Sequence, residues 1–421
     1  MPIHTTDHGW VLETRTTAYV IGLNEAGLLT HRYWGIRLPH ARDYPAAANP
    51  EGWAAFNNPA HLTPEEYPGY EDMKFTEPCL KVAFADGVRD VVLRYTGADI
   101  CESTTPELRI SLRDTVYPLN LTLHYRVHAT YDLIERWVSV TNEGAEPITI
   151  ERIWSALWHL PLGDVYRLTH LSGRWTDEMH LQRELLTPGL KVLESRRITT
   201  SHHYNPWFAI DRGNADEELG DVWFGALAWS GNWKILAEMT DVVSTQIGIG
   251  INDWDGAWRL IAGETFTTPG SYAGYTLAGF GAASRHMHDY IRDHLLPHGK
   301  VTHKVLYNSW EDTTFQVDEA SQCALAESAA AMGVELFVMD DGWFHRRDDD
   351  NAGLGDWWPD ERKFPHGLSG LIERVNELGM DFGLWIEPEM VNPDSDLYWA
   401  LQIGLFIFLR VPRTLAVINS S

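Results

Sequence analysis

Carboxylates recur at similar places in the last third of the sequence. Glu311 and Asp312 follow Trp310, Asp340 and Asp341 precede Gly342 and Trp343, and Glu387 and Glu389 flank Pro388. Each group stands directly after a short apolar run. An ionised carboxylate offers several lone pairs and no proton, so such a set can grip vicinal hydroxyl groups, and a pair of them can run acid–base chemistry. Blander roles compete with these. Asp340 and Asp341 are adjacent, so one should point inward and the other aside, and either could cap the following loop. Glu387 and Glu389 could be a glycosidase pair or could orient their neighbours. The run Asp348-Asp349-Asp350-Asn351 starts like a calcium loop but lacks the regular spacing and distal glutamate, and reads as a solvated loop. No H-x-x-x-H pattern stands on a convincing helix. Cys79, Cys101 and Cys323 are too scattered for a zinc site or a disulfide framework. Neither a metal nor a cofactor is expected.

The elements that would position these residues alternate. Residues 305–310 form an apolar strand with a polar end; 318–332 is an Ala-rich helix closed by Gly333; 335–339 is the next strand. A helix over 368–378, closed by Gly379, leads to a strand over 381–386. Strand and helix in alternation is the grammar of a parallel sheet. Polar groups at the C-terminal ends of such strands are how a (β/α) barrel builds its active site. Ahead of this region, 284–296 reads as a helix with Ser284 as N-cap and Pro297 beyond its end.

The chain before that is different. Short alternating segments rich in β-branched and aromatic residues, such as 10–17, 88–95, 119–128, 134–142 and 223–239, are broken by turn residues, which predicts a large antiparallel β-sandwich. Residues 39–78 interrupt the pattern with a loop long enough to suggest function. The expected organisation is a sandwich over 1–283, a linker helix over 284–300 and the N-terminal part of a barrel over 301–421. A formal charge of −26 argues against a nucleic-acid partner, and likewise against an anionic membrane surface. The 19 Trp, 16 Tyr and 14 Phe fill cores but also suit the C–H faces of sugar rings. The apolar run near 401–409 is too short to span a bilayer. With no basic region and apolar stretch at the N-terminus, the protein is read as cytoplasmic.

Four segments carry a resemblance to glycoside hydrolase family 36, the α-galactosidases that join a β-supersandwich to a catalytic (β/α)8 TIM barrel. They are Tyr307-Asn308-Ser309-Trp310-Glu311, the run 336–344 around Asp340-Asp341-Gly342-Trp343, Leu354-Gly355-Asp356-Trp357, and the run 382–391 around Trp385-Ile386-Glu387-Pro388-Glu389. The resemblance implies hydrolysis of terminal α-linked galactose from melibiose- or raffinose-type oligosaccharides. It also implies that Asp340 and Asp341 hold galactose hydroxyls and that Trp310 and Trp385 wall the pocket. Pro412-Arg413-Thr414 resembles a family segment in which Arg413 would contact substrate. The loop with Asp43 and Trp53 resembles one that, in tetrameric members, reaches into a neighbouring subunit's site.

In that family one Asp attacks the anomeric carbon and a second protonates the leaving oxygen, about 5 Å apart. The resemblance puts them in a Lys-Trp-Asp segment on the fourth strand and on the sixth strand. Neither segment occurs in the 421 residues. The barrel region runs for about 120 residues against about 250 for a complete barrel. The expectation is therefore a barrel truncated before closure, without a catalytic pair, inactive alone, and with an aggregation-prone apolar run at 405–409. The competing expectation is a non-catalytic galactose-binding or regulatory module.

Overall fold

The computed structural model describes residues 2–50, 62–71, 74–163, 165–240, 244–400, 405–406 and 416–418. The chain divides into two compact units, Met1–Gly299 and Lys300–Ser421. No helix among the described residues is long and apolar enough to cross a membrane.

The first unit is a β-sandwich. A four-stranded antiparallel sheet opens it (Ile3–Thr6, Gly9–Glu13, Thr17–Leu23, Leu29–Ile36), and sheets of six and ten strands follow. The alternation that predicts strands is visible in the burial. Along Leu119–His128 every second side chain is buried, and its partner Leu133–Asn142 sets Leu121 opposite Val140 and Leu123 opposite Val138. One apolar core joins all three sheets and contains Trp154, Trp158 and Trp233, all fully buried. For those three residues the aromatic excess is core filling.

Several predicted boundaries move. The segment 10–17 is not one strand: it turns between Glu13 and Thr17, where Thr14 and Thr17 hydroxyls bond each other at 2.6 Å. Residues 223–239 break at 228–232 into Val222–Leu227 and Trp233–Met239, and the strand expected at 88–95 runs from Leu93 to Cys101. Ser284 is not an N-cap. The helix begins earlier and spans Gly279–Tyr290, with one wider turn continuing over Ile291–Leu295. Its first amides need no side-chain cap, because Phe280 and Gly281 donate to the carbonyls of Asp216 and Glu217. Phe280, Ala283 and Tyr290 bury its apolar stripe against Val222 and Phe224.

The loop 39–78 contributes to the core. Glu66 lies fully buried, 2.8 Å from Arg136, and accepts hydrogen bonds from Tyr19 (2.5 Å) and Tyr125 (2.9 Å). Arg136 also donates to the Leu157 carbonyl at 2.6 Å. Burial alone would raise the Glu66 carboxyl; Arg136 and His31 outweigh it and hold the group at about 2. A buried ion pair is tolerable when its lone pairs and protons are satisfied in this way.

The second unit contains three parallel strands in sequence order, Leu306–Asn308, Leu336–Met339 and Asp381–Leu384. They are linked through helices Glu319–Ala331 and Ser369–Glu377. The first helix starts where the sequence predicts: Asp318 accepts from the Ser321 amide at 2.8 Å, and the Ser321 hydroxyl accepts in return from the Asp318 amide. Phe337 and Met339 of the central strand are fully buried against Ala326, Ala329, Leu371 and Val375. Val305 and Leu306, at the first strand, are instead more than half exposed. The unit is thus a partial (β/α) barrel within these 421 residues. The run 405–409 falls mostly outside the described residues; Leu405–Phe406 pairs with Ala416–Ile418.

His159, stacked on His31 and donating from Nε2 to the Glu65 carbonyl at 2.7 Å, is held from its ordinary 6.5 down to about 4 by burial and by His31. The folded state keeps it neutral while the unfolded chain protonates it. This contribution is complete above pH 6.5 and is lost as the pH falls toward 4, by about 1.4 kcal/mol per pH unit. Denaturant titrations across this window should show that loss, and His159→Gln should flatten it; an unchanged slope would show that His159 is not the sensor.

Candidate functional site

The candidate site is built at the C-terminal ends of the three parallel strands. Backbone bonds knit those ends together: Ser309 N–H donates to the Val338 carbonyl (3.1 Å), and Trp385 N–H to the Met339 carbonyl (3.0 Å). The Asp340 amide donates to the Ser309 hydroxyl at 3.1 Å. Asp340 therefore emerges from the central strand between the first and third.

The side chains continue the network. Asn308 donates its amide to Asp340 Oδ2, while its own Oδ1 accepts from the Trp310 amide at 2.8 Å. Trp310 is thereby one residue removed from the Asp340 carboxylate, and its ring is braced edge-on by Phe315 with centroids 5.2 Å apart. On the other side, the Trp343 indole donates to the Trp385 carbonyl at 2.9 Å. Trp310 and Trp385 are both half-buried, so each keeps surface for a ligand.

The two aspartates have different partners. Asp340 accepts one bond on each oxygen, from the Asp341 amide (2.8 Å) and from Asn308, which leaves acceptor capacity. Asp341 is saturated. Its Oδ1 accepts from the Gly342 amide (2.6 Å) and Arg347 Nε (2.9 Å), and its Oδ2 from Arg347 Nη2 (2.8 Å). Arg347 is itself buried and also donates to the Ala352 carbonyl at 3.0 Å. Gly342 cannot be another residue: its φ is +90°, and a Cβ there would lie 2.8 Å from Phe315 Cα. Lys363 ties the same loops together, its ammonium donating to the carbonyls of Phe315, Gly342 and Arg347.

Glu387 belongs to the same charge field. Burial and Glu389 raise its carboxyl, Arg347 lowers it, and Asp341 and Asp350 raise it further. Asp348 is engaged by Arg362 (2.8 Å) and Lys363 (2.9 Å), as a loop carboxylate would be. Among the described residues no group of three or more metal-ligating side chains converges. Asp43 sits in the first unit at the end of a one-turn helix, Ala41–Asp43, with a half-exposed carboxylate 4.0 Å from Arg42. Trp53 and Arg413 lie outside the described residues. Sequence reasoning gave no role to Arg347 or Asn308. The available signal was charge balance: Asp340, Asp341 and the 348–350 run crowd around only two basic residues, Arg346 and Arg347.

Comparison with known proteins decides the family. The glycosyl hydrolase family 36 N-terminal domain profile matches residues 27–261 and the melibiase profile matches 265–403. The chain belongs to glycoside hydrolase family 36. A family 36 relative, the α-galactosidase AgaA of Geobacillus stearothermophilus, is 35% identical over 93% of this chain and 58% of its own length. A probable α-galactosidase G of Aspergillus terreus is 33% identical, over 96% of this chain and 59% of its own. The crystal structure of AgaA superposes with a TM-score of 0.91, covering 97% of this chain and 61% of that one. The galactosidase domain of the α-galactosidase–sucrose kinase AgaSK also gives 0.91, at 30% identity, covering 99% of this chain and 62% of that one. Doubly substituted variants of AgaA have also been crystallised, one with stachyose and one with raffinose. The chain spans about three-fifths of the length of these relatives.

Removing Arg347 would leave Asp341 buried and unpaired. Arg347→Met should destabilise the chain by about 3–5 kcal/mol, whereas Asp340→Asn should cost far less because Asp340 faces no buried cation. Chemical denaturation of the two variants measures this; equal losses would contradict the assignment of Asp341 as the anchor.

Proposed function

We propose that the chain serves the retaining hydrolysis of terminal α-galactosyl residues from raffinose-type oligosaccharides, and that its own part is to hold the galactosyl ring. The observation that supports this best is the spare acceptor capacity of Asp340, set between Trp310 and Trp385 at the ends of consecutive parallel strands. A carboxylate with free lone pairs accepts from ring hydroxyls, and half-buried indoles match the apolar face of the sugar. On this reading Asp341 acts together with Arg347, presenting a fixed carboxylate edge rather than a free one.

The nucleophile and the acid/base carboxylate are assigned by family resemblance to segments that do not occur in these residues. No residue here is given either role. Glu387, whose carboxyl is raised by burial and by Glu389, is given neither role. Assembly into tetramers, with Asp43 and Trp53 reaching a neighbour's site, rests on the same resemblance. A cytoplasmic location is supported by the free thiols of Cys79, Cys101 and Cys323, since an exposed unpaired cysteine such as Cys101 suits a reducing compartment.

Calorimetric titration with galactose, paired with an aryl α-galactoside assay, tests the proposal. The 421-residue chain should bind galactose saturably and release no nitrophenol, and Asp340→Asn should weaken binding about tenfold or more. Turnover at ordinary glycosidase rates would reveal a nucleophile among these residues. Absence of binding in the folded chain would remove the sugar-holding role.

A further inference from the structure

The sandwich carries a second aromatic constellation, far along the sequence from the strand-end carboxylates. At one end of the six-stranded sheet the strand Gly189–Glu194 stops, Trp233–Met239 starts and Thr245–Ile251 stops, with Glu194 opposite Lys234 and Trp233 opposite Ile251. The turns at these ends form a groove of about 350 Å³, lined by Arg196, Trp229, Asn232, Trp254, Asp255 and Trp258. That size is typical of small-ligand sites.

The tryptophans of the groove are not core residues. Trp254 is 61% exposed and Trp229 40%, while Trp258 is half-buried against Phe266. Nor are they loosely held. The Trp229 indole donates to the Asn232 carbonyl at 3.1 Å and lies against Gly231, where a Cβ would come within 2.9 Å of Nε1. Trp254 is covered on one side by the Arg196 guanidinium, centred 3.7 Å from its ring, and Arg196 in turn pairs with Glu194. The turn that carries Trp254 is fixed by buried Asn252. Its Oδ1 accepts from the Trp254 amide at 2.9 Å, and its amide donates to Glu194 and to the carbonyls of Ser195 and Trp233. The aromatic faces are thus held in place before any ligand arrives, which limits what binding costs in entropy.

The chemistry around them selects the ligand. Arg196 is already neutralised by Glu194, while Asp255 is exposed and has no partner among the described residues. An anion gains nothing there. A neutral ligand with apolar C–H faces for the indoles and hydroxyls to donate to Asp255 fits, and a pyranose chain has both. We infer that this groove is a non-catalytic site for a neutral oligosaccharide, stacked on Trp229 and Trp254 and hydrogen-bonded to Asp255. The choice of an α-galactoside chain as occupant rests on the function proposed above; the groove itself does not.

Titration of the full chain and three variants with stachyose tests the inference. Asp340→Asn should keep one binding event, whereas Trp254→Ala should weaken that event about tenfold or more. Asp255→Ala, an exposed change that spares the fold, should weaken it as well. A linear glucose tetrasaccharide binding in place of stachyose, lost in Trp254→Ala, would uphold the groove and overturn only its α-galactoside occupant. Stachyose binding that disappears in Asp340→Asn and is untouched in Trp254→Ala and Asp255→Ala would overturn the inference. So would a change of oligomeric state in Trp254→Ala without change in sugar binding, which would make the groove a contact between copies.

Discussion

Asp341 in the grasp of Arg347 is the contact on which the strand-end rim depends. Asp340, Asp341 and Glu387 stand on neighbouring strand ends, and negative charges so close repel strongly unless a cation is set among them. Arg347 supplies that cation. It takes both oxygens of Asp341 and reaches the Ala352 carbonyl, so one guanidinium fixes the aspartate and the loop that follows it. Asp340 is left with unspent acceptor capacity as a direct consequence. The division of labour between two adjacent, chemically identical residues therefore comes from where one arginine sits.

The sandwich solves a similar problem by a similar device. Glu66 is buried among Arg136, Tyr19 and Tyr125, both of its oxygens accept, and the carboxyl stays ionised in the core. Arg136 lies directly opposite Tyr125 across two paired strands, so the sheet register places the cation and the loop brings the anion to it. In both units a loop carries a charge inward to meet a residue on a rigid element.

Much of this was legible in the sequence where local pattern and tertiary structure agree. The period-two alternation of 119–128 and 134–142 gave strands at nearly the observed bounds, and the helix Glu319–Ala331 announces itself through its alanines and Gly333. The strand ends bearing Asp340 and Trp385 were legible because an apolar run followed by polar residues can only expose its polar end. The remainder depended on long-range partners. Ser284 looks like an N-cap, but the carbonyls of Asp216 and Glu217 do that work from far away in sequence. Glu66 sits in a stretch with the composition of a surface loop, and nothing local says that it is aimed at Arg136. Arg347 sits beside the exposed Arg346, and sequence alone does not tell which of the two turns inward.

The central claim is geometric, so a crystal structure of the chain soaked with galactose tests it most directly. The account predicts density for one galactose ring at the strand-end rim, with hydroxyls on Asp340, Arg347 still clasping Asp341, and the ring bounded by Trp310 and Trp385. A ring bound elsewhere, or one at the rim with Asp340 turned away and Arg347 released from Asp341, would contradict it.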